Sequence, residues 1–119
     1  MSDDSVDRLR MELREFAQDR DWEQFHNPKN LAMALAGEVG ELLEIFQWLT
    51  PEEADAVMDS PRAADVDDEL ADVTIYLLRL ADVLDVDLLE VARAKLDRNR
   101  DRFPSRQVRG RADVPPATP

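Results

Sequence analysis

Apolar residues recur at three- and four-residue spacing through nearly the whole chain, and no stretch alternates with period two. That pattern is helical from end to end. Val6, Leu9, Leu13 and Phe16 set a first amphipathic helix over about Ser5 to Arg20. The charged segment Asp19 to His26 reads as a loop. Asn27-Pro28 has the chemistry of a helix start, a capping side chain followed by a residue whose missing N–H costs nothing there. A second helix is predicted from that point to about Trp48. Its stripe is Leu31, Leu35, Val39, Leu42, Phe46 and Leu49, with Ala32, Ala34, Ala36, Leu43 and Ile45 on the other flank. A helix apolar on most sides is a central one.

Thr50-Pro51-Glu52-Glu53 repeats the cap-and-proline logic and predicts a short helix to about Met58. Ser60-Pro61 predicts the opening of another, running to about Leu84 on Val66, Leu70, Val73, Leu77, Leu80 and Leu84. Asp87 caps a last helix carrying Leu88, Val91, Ala92 and Leu96, which ends before Phe103-Pro104. The expected fold is all-α, with four main helices and a short connecting one. The expected organisation is one domain over 1–104 and a tail over 105–119 that is flexible unless a partner orders it.

Composition narrows the chemistry. The 119 residues include no cysteine and one histidine, which excludes thiolate chemistry, disulfides and multi-histidine metal sites. The net charge of −12 disfavours a nucleic acid polymer as partner, since a phosphate backbone needs a cationic surface. No apolar run approaches the ~18 residues of a membrane span, and no basic, apolar leader opens the chain, so a soluble cytoplasmic protein is expected.

Two acid pairs stand out. Glu38-Val-Gly-Glu41 lies in the second helix and Glu69-Leu-Ala-Asp72 in the fourth. Residues three apart share a helix face. If these helices are neighbours, four carboxylates converge. Four ionised carboxylates cannot share a buried spot unaided, so protons or divalent cations must neutralise them. An all-oxygen set suits Mg²⁺, with Mn²⁺ as substitute, and argues against zinc or copper. Gly37 and Gly40 flank Glu38 and leave room for another backbone or a ligand to come near, or simply allow tight helix packing. The plainer reading of the acids is two solvated helix faces in an acidic chain.

The chain resembles the MazG-like nucleoside triphosphate pyrophosphatases, most closely their dCTP pyrophosphatase branch. The resemblance is carried by Arg20-Asp21-Trp22-Glu23-Gln24-Phe25-His26, Pro28-Lys29-Asn30-Leu31, Gly37-Glu38-Val39-Gly40-Glu41-Leu42 and Phe46-Gln47-Trp48. Further on come Asp68-Glu69-Leu70-Ala71-Asp72-Val73, Ile75-Tyr76-Leu77 and Lys95-Leu96-Asp97-Arg98-Asn99-Arg100. It implies an all-α homotetramer, a dimer of dimers with sites at subunit interfaces. It also implies Mg²⁺-dependent cleavage of a nucleoside triphosphate to the monophosphate and pyrophosphate. Glu38, Glu41, Glu69 and Asp72 fall on the metal-ligand positions, Trp22, Trp48 and Tyr76 where the base is held, and Lys95 and Asn99 at the phosphates or sugar. His26 reads as a loop residue at the substrate's edge. Glu38 or Glu41 is the expected acceptor of the attacking water's proton. Where the mammalian members carry a histidine in the first helix, this chain has Leu13, which opens the pocket to pyrimidines other than cytosine. Two alternatives stand beside this reading: a non-catalytic acidic helical module that binds nucleotides or a protein, and a phosphoribosyl-ATP pyrophosphohydrolase-like activity.

Overall fold

The computed structural model describes residues 2–113 and Pro115, with side chains from Ser5 onward. Six α-helices follow one another: α1 (Ser2–Asp19), α2 (Pro28–Phe46), α3 (Pro51–Asp55), α4 (Ala63–Val83), α5 (Leu88–Arg102) and α6 (Ser105–Val108). Turns of 3₁₀ helix at Glu23–Phe25 and Val57–Asp59 link them, and no strand occurs among the described residues. The all-α expectation holds, with α1, α2, α4 and α5 as the main helices.

The caps are those the sequence announces. Asn27 Oδ1 accepts the Asn30 N–H at 2.9 Å, with Pro28 at the first helical position. Thr50 and Glu53 form a reciprocal capping box at 3.1 and 2.9 Å. Asp87 Oδ1 accepts the Glu90 N–H at 3.0 Å. Each such cap contributes about 1 kcal/mol by satisfying an otherwise orphaned donor.

Two boundaries differ from expectation. The fourth helix starts at Ala63 rather than at Ser60-Pro61. Ser60 Oγ donates to the Val57 carbonyl at 2.5 Å and accepts the Arg62 N–H at 3.1 Å, so its hydroxyl closes the preceding turn before the helix begins. The second helix stops at Phe46, short of Trp48. The segment after Phe103-Pro104 opens with the single helical turn α6; positions 114 and 116–119 lie outside the described residues.

The chain divides into two compact units, one running to Asp85 and one from Val86 onward. In the first, α4 packs along α2 and touches α1. Its buried apolar side chains are few: Ala17 from α1, Leu31 and Ile45 from α2, Val57, and Val66, Leu78 and Ala81 from α4. Ile45, Val57 and Val66 form one cluster, with Phe46 and Leu49 against it. Much of the expected apolar striping is instead exposed, including Val39, Leu43, Leu70 and Leu84. In the second unit, α5 leaves Val91 and Leu96 about half exposed. Among the described residues no helix is long and apolar enough to cross a membrane.

Candidate active site

The packing of α2 against α4 brings the acid pairs together. Glu38, Glu41 and Glu69 each place a carboxylate oxygen within 4.8 Å of the others. Glu38 and Glu69 are half-buried and Glu41 is exposed. Asp72, one turn beyond Glu69, lies outside this trio, yet its charge helps to raise the Glu38 pKa. The sequence-level quartet is thus a trio with a fourth carboxylate at its margin.

The electrostatics are those of acids crowded without counter-charge. Burial pushes the Glu69 carboxyl up to about 7, with hydrogen bonding to Glu38 and Glu41 and the Glu41 and Glu38 charges adding to it. Hydrogen bonding with Glu69 pulls Glu38 down, but burial and the charges of Glu41 and Asp72 outweigh it and leave Glu38 raised. One oxygen of each carboxyl, Glu38 Oε2 and Glu69 Oε2, is buried and has no hydrogen-bond partner among the described residues. Ionised carboxylates only accept, so two orphaned buried oxygens beside a third carboxylate need either protons or a cation. The donor set is all oxygen, which fits a hard divalent ion of the Mg²⁺ or Mn²⁺ type.

A Cβ built at Gly37 or Gly40 meets nothing within 4 Å. Packing within the chain therefore does not require either glycine. The space beside Glu38 and Glu41 is open to whatever approaches from outside.

The aromatic candidates are set by a different device. After α1, Asp21 adopts a left-handed conformation with φ 54°. The Trp22 N–H reaches the Ala17 carbonyl at 2.9 Å and the Asp21 N–H reaches Gln18 at 3.1 Å. This is a Schellman ending, with aspartate where glycine is usual. Its apolar contact is Trp22 on Phe16, edge to face with ring centroids 5.7 Å apart. Trp22 is thereby fixed by the way α1 stops, not by a free loop. His26 follows the 3₁₀ turn, its ring centroid 6.4 Å from that of Trp22. Tyr76 is half-buried one turn after Asp72 on α4. Trp48, just past the end of α2, is 85% exposed, so it is no part of this chain's core. Lys95 and Asn99 sit one turn apart on α5 in the second unit; Lys95 is exposed, and Asn99 Oδ1 is buried without a partner.

Sequence reasoning missed a charged cluster. Asp82 Oδ1 accepts from Arg10 Nη1 and Arg14 Nη2, each at 2.5 Å; Oδ2 accepts from Arg14 Nε at 2.9 Å and Arg79 Nη1 at 3.1 Å. Arg14, and with it Arg10, holds the Asp82 carboxyl down to about 2 against burial. Arg79 also donates from Nε to His26 Nδ1 at 3.2 Å. One signal was available: Arg79 lies seven residues after Asp72, so it continues the face of Glu69, Asp72 and Tyr76.

The MazG-like family model matches residues 34–110, which include Glu38, Glu41, Glu69 and Asp72. The chain belongs to the MazG-like family. Among its MazG-like relatives, dCTP pyrophosphatase 1 of Bos taurus is 47% identical over 112 residues, covering 93% of this chain and 66% of the relative. The Homo sapiens dCTP pyrophosphatase 1 is 48% identical over 106 residues, covering 88% and 62%. The Mus musculus protein of that name is 44% identical over 119 residues, covering 96% and 70%. The chain spans about two thirds of the length of these curated relatives. Among solved structures, a pyrophosphatase from Archaeoglobus fulgidus superposes with a TM-score of 0.79 at 42% identity, covering 84% of this chain and 93% of the other.

Proposed function

We propose that this MazG-like chain is a nucleoside triphosphate pyrophosphohydrolase that cleaves a pyrimidine deoxynucleotide such as dCTP to the monophosphate and pyrophosphate. The observation that carries the reading is the trio Glu38, Glu41 and Glu69, with two buried carboxylate oxygens that lack a partner among the described residues. Relatives named dCTP pyrophosphatase 1 at 44–48% identity and a pyrophosphatase of the same fold support it.

The trio, with Asp72 beside it, would hold Mg²⁺, or Mn²⁺ in its place. A bound divalent ion supplies charge neutralisation for the triphosphate and a water acidic enough to attack near neutral pH. The chain's own residues do the remaining work. Glu41, the exposed member of the trio, is placed to accept a proton from the attacking water, with Glu38 as the second candidate. Trp22, held edge to face on Phe16, offers a flat surface for a base, and Trp48 a second. Tyr76, one turn after Asp72 on α4, is assigned to the base side of the site. The resemblance implies that Lys95 and Asn99 contact the phosphates or sugar, Lys95 offsetting charge on the leaving pyrophosphate.

The exposed apolar side chains of α2 and α4 support assembly into a homotetramer, the dimer of dimers the resemblance implies. We assign the site to residues 1–104 and no catalytic part to 105–119. Removal of unwanted nucleotides would place the protein in the cytoplasm.

The test is incubation with a panel of ribo- and deoxynucleoside triphosphates and Mg²⁺, followed by separation of products. Monophosphate and pyrophosphate in equal amounts, largest for a pyrimidine deoxynucleotide and lost in Glu41→Gln, are expected. No product from any nucleotide would favour a binding module instead. Full activity in Glu41→Gln with its helical signal unchanged would reject the trio as the centre.

A further inference from the structure

His26 is the chain's one histidine, and a cation, Arg79, meets its ring. Arg79 is 4% exposed, which a guanidinium tolerates only with a counter-charge. Asp82 supplies that charge at 3.1 Å, and Asp82 is itself gripped by Arg10 and Arg14. The guanidinium is therefore fixed before it meets the imidazole. Its Nε–H points at His26 Nδ1 across 3.2 Å. A guanidinium cannot accept a hydrogen bond, so Nδ1 must be the bare nitrogen of the ring and the proton must sit on Nε2.

We infer that Arg79 is a positioning residue that locks His26 as the neutral Nε2–H tautomer, so that the ring offers one fixed donor, beside Trp22, to an acceptor oxygen of the nucleotide's pyrimidine. The inference rests on the nucleotide hydrolase reading above and adds to it a recognition element running from α1 through Asp82, Arg79 and His26. Three observations support it. His26 and Arg79 line a cavity of about 260 Å³ with Arg14, Glu23, Asp82 and Val83. Trp22 and His26 stand with ring centroids 6.4 Å apart, at either end of the 3₁₀ turn. Arg79 continues the α4 face that bears Glu69, Asp72 and Tyr76, about 10 Å beyond Asp72 at 1.5 Å per residue. Burial and the Arg79 charge lower the His26 pKa, against an opposing pull from Glu23, in the direction of the neutral ring.

Because the chain holds one histidine, nitrogen NMR of the whole protein labelled with ¹⁵N-histidine reads this ring alone. At pH 7 the wild type should show a bare Nδ1 and a protonated Nε2. A protonated Nδ1, or an even mixture of tautomers, would overturn the inference without reference to activity. In Arg79→Met the two tautomers should mix. KM for the best triphosphate should then rise about five- to tenfold, the worth of one oriented hydrogen bond, with kcat within twofold. A mixed tautomer with unchanged KM would overturn the link to the substrate. Should Arg79→Met fail to fold, Arg79→Lys keeps the counter-charge for Asp82 but not the directed fork, and the same two readouts apply. If the wild type turns over no triphosphate at all, the hydrolase reading fails, and the spectrum still decides the tautomer.

Discussion

Replacing Asp82 by Asn tests how this first unit holds α1 onto α4. The substitution keeps the volume and removes the charge that Arg10, Arg14 and Arg79 share. Two estimates bound the cost. The Asp82 carboxyl falls from 3.8 to about 2 on folding, worth about 2 kcal/mol at 1.36 kcal/mol per pH unit. Leaving a buried cation such as Arg79 without its partner costs about 3–5 kcal/mol. Arg14 is 44% exposed at the side chain, where solvent screens the pair, so the lower figure is the better guide. A loss of about 2–3 kcal/mol lowers Tm by about 10 °C in a domain of this size. The assay is thermal melting by circular dichroism at pH 7 and fixed protomer concentration, repeated in acid. A carboxyl with a depressed folded pKa stabilises above its unfolded value. The gap between wild type and variant should therefore be full above pH 4 and close as pH falls toward 2. Arg14→Gln should lower Tm far less than Asp82→Asn, since solvent screens that pair. A gap below about 2 °C at pH 7, or one that persists undiminished at the lowest pH where both proteins fold, would refute the reasoning.

Other outcomes follow from the site. The Glu69 carboxyl is raised from 4.5 to about 7, so it favours the fold fully below pH 4.5 and loses that contribution as pH rises through 7. Melts in chelator should show Tm falling across that window, and added Mg²⁺ should abolish the fall. Glu69→Gln removes the repulsion without changing shape; it should raise Tm in chelator and remove the Mg²⁺ effect, as scanning calorimetry would register. Gly37→Ala and Gly40→Ala each add helix propensity of about 1 kcal/mol, and the added Cβ meets nothing within 4 Å among the described residues. If nothing docks beside Glu38 and Glu41, both variants melt higher with activity intact. If substrate or a partner subunit uses that space, activity or the sedimentation coefficient falls while the protomer's helicity does not.

What the sequence made legible was local. Asn27-Pro28, Thr50 to Glu53 and Asp87 act within three residues of themselves, so their caps could be read directly. The acid pairs were legible because i,i+3 spacing fixes a shared face, though not which oxygens would lie within 4.8 Å or that Asp72 would stand apart. Asp82 was illegible because two of its partners are 68 and 72 residues away. The start of α4 was misplaced because the Ser60 hydroxyl has two uses, and the one it takes depends on the turn before it. The segment around Trp22 reads as a plain loop in the sequence because aspartate at a left-handed position is a weaker signal than glycine. Periodicity identified the apolar faces of α2 and α4, but it cannot say whether the covering surface belongs to the same chain. Leu43 at 57% exposure and Val39 at 47% are what that ambiguity left behind.

Diffraction from crystals grown with Mn²⁺, read at the manganese absorption edge, bears most directly on the carboxylate centre. An anomalous peak lying within about 2.2 Å of oxygens from Glu38, Glu41 and Glu69 is the expected result. Those three side chains turned apart, with no peak among them at saturating Mn²⁺, would contradict it.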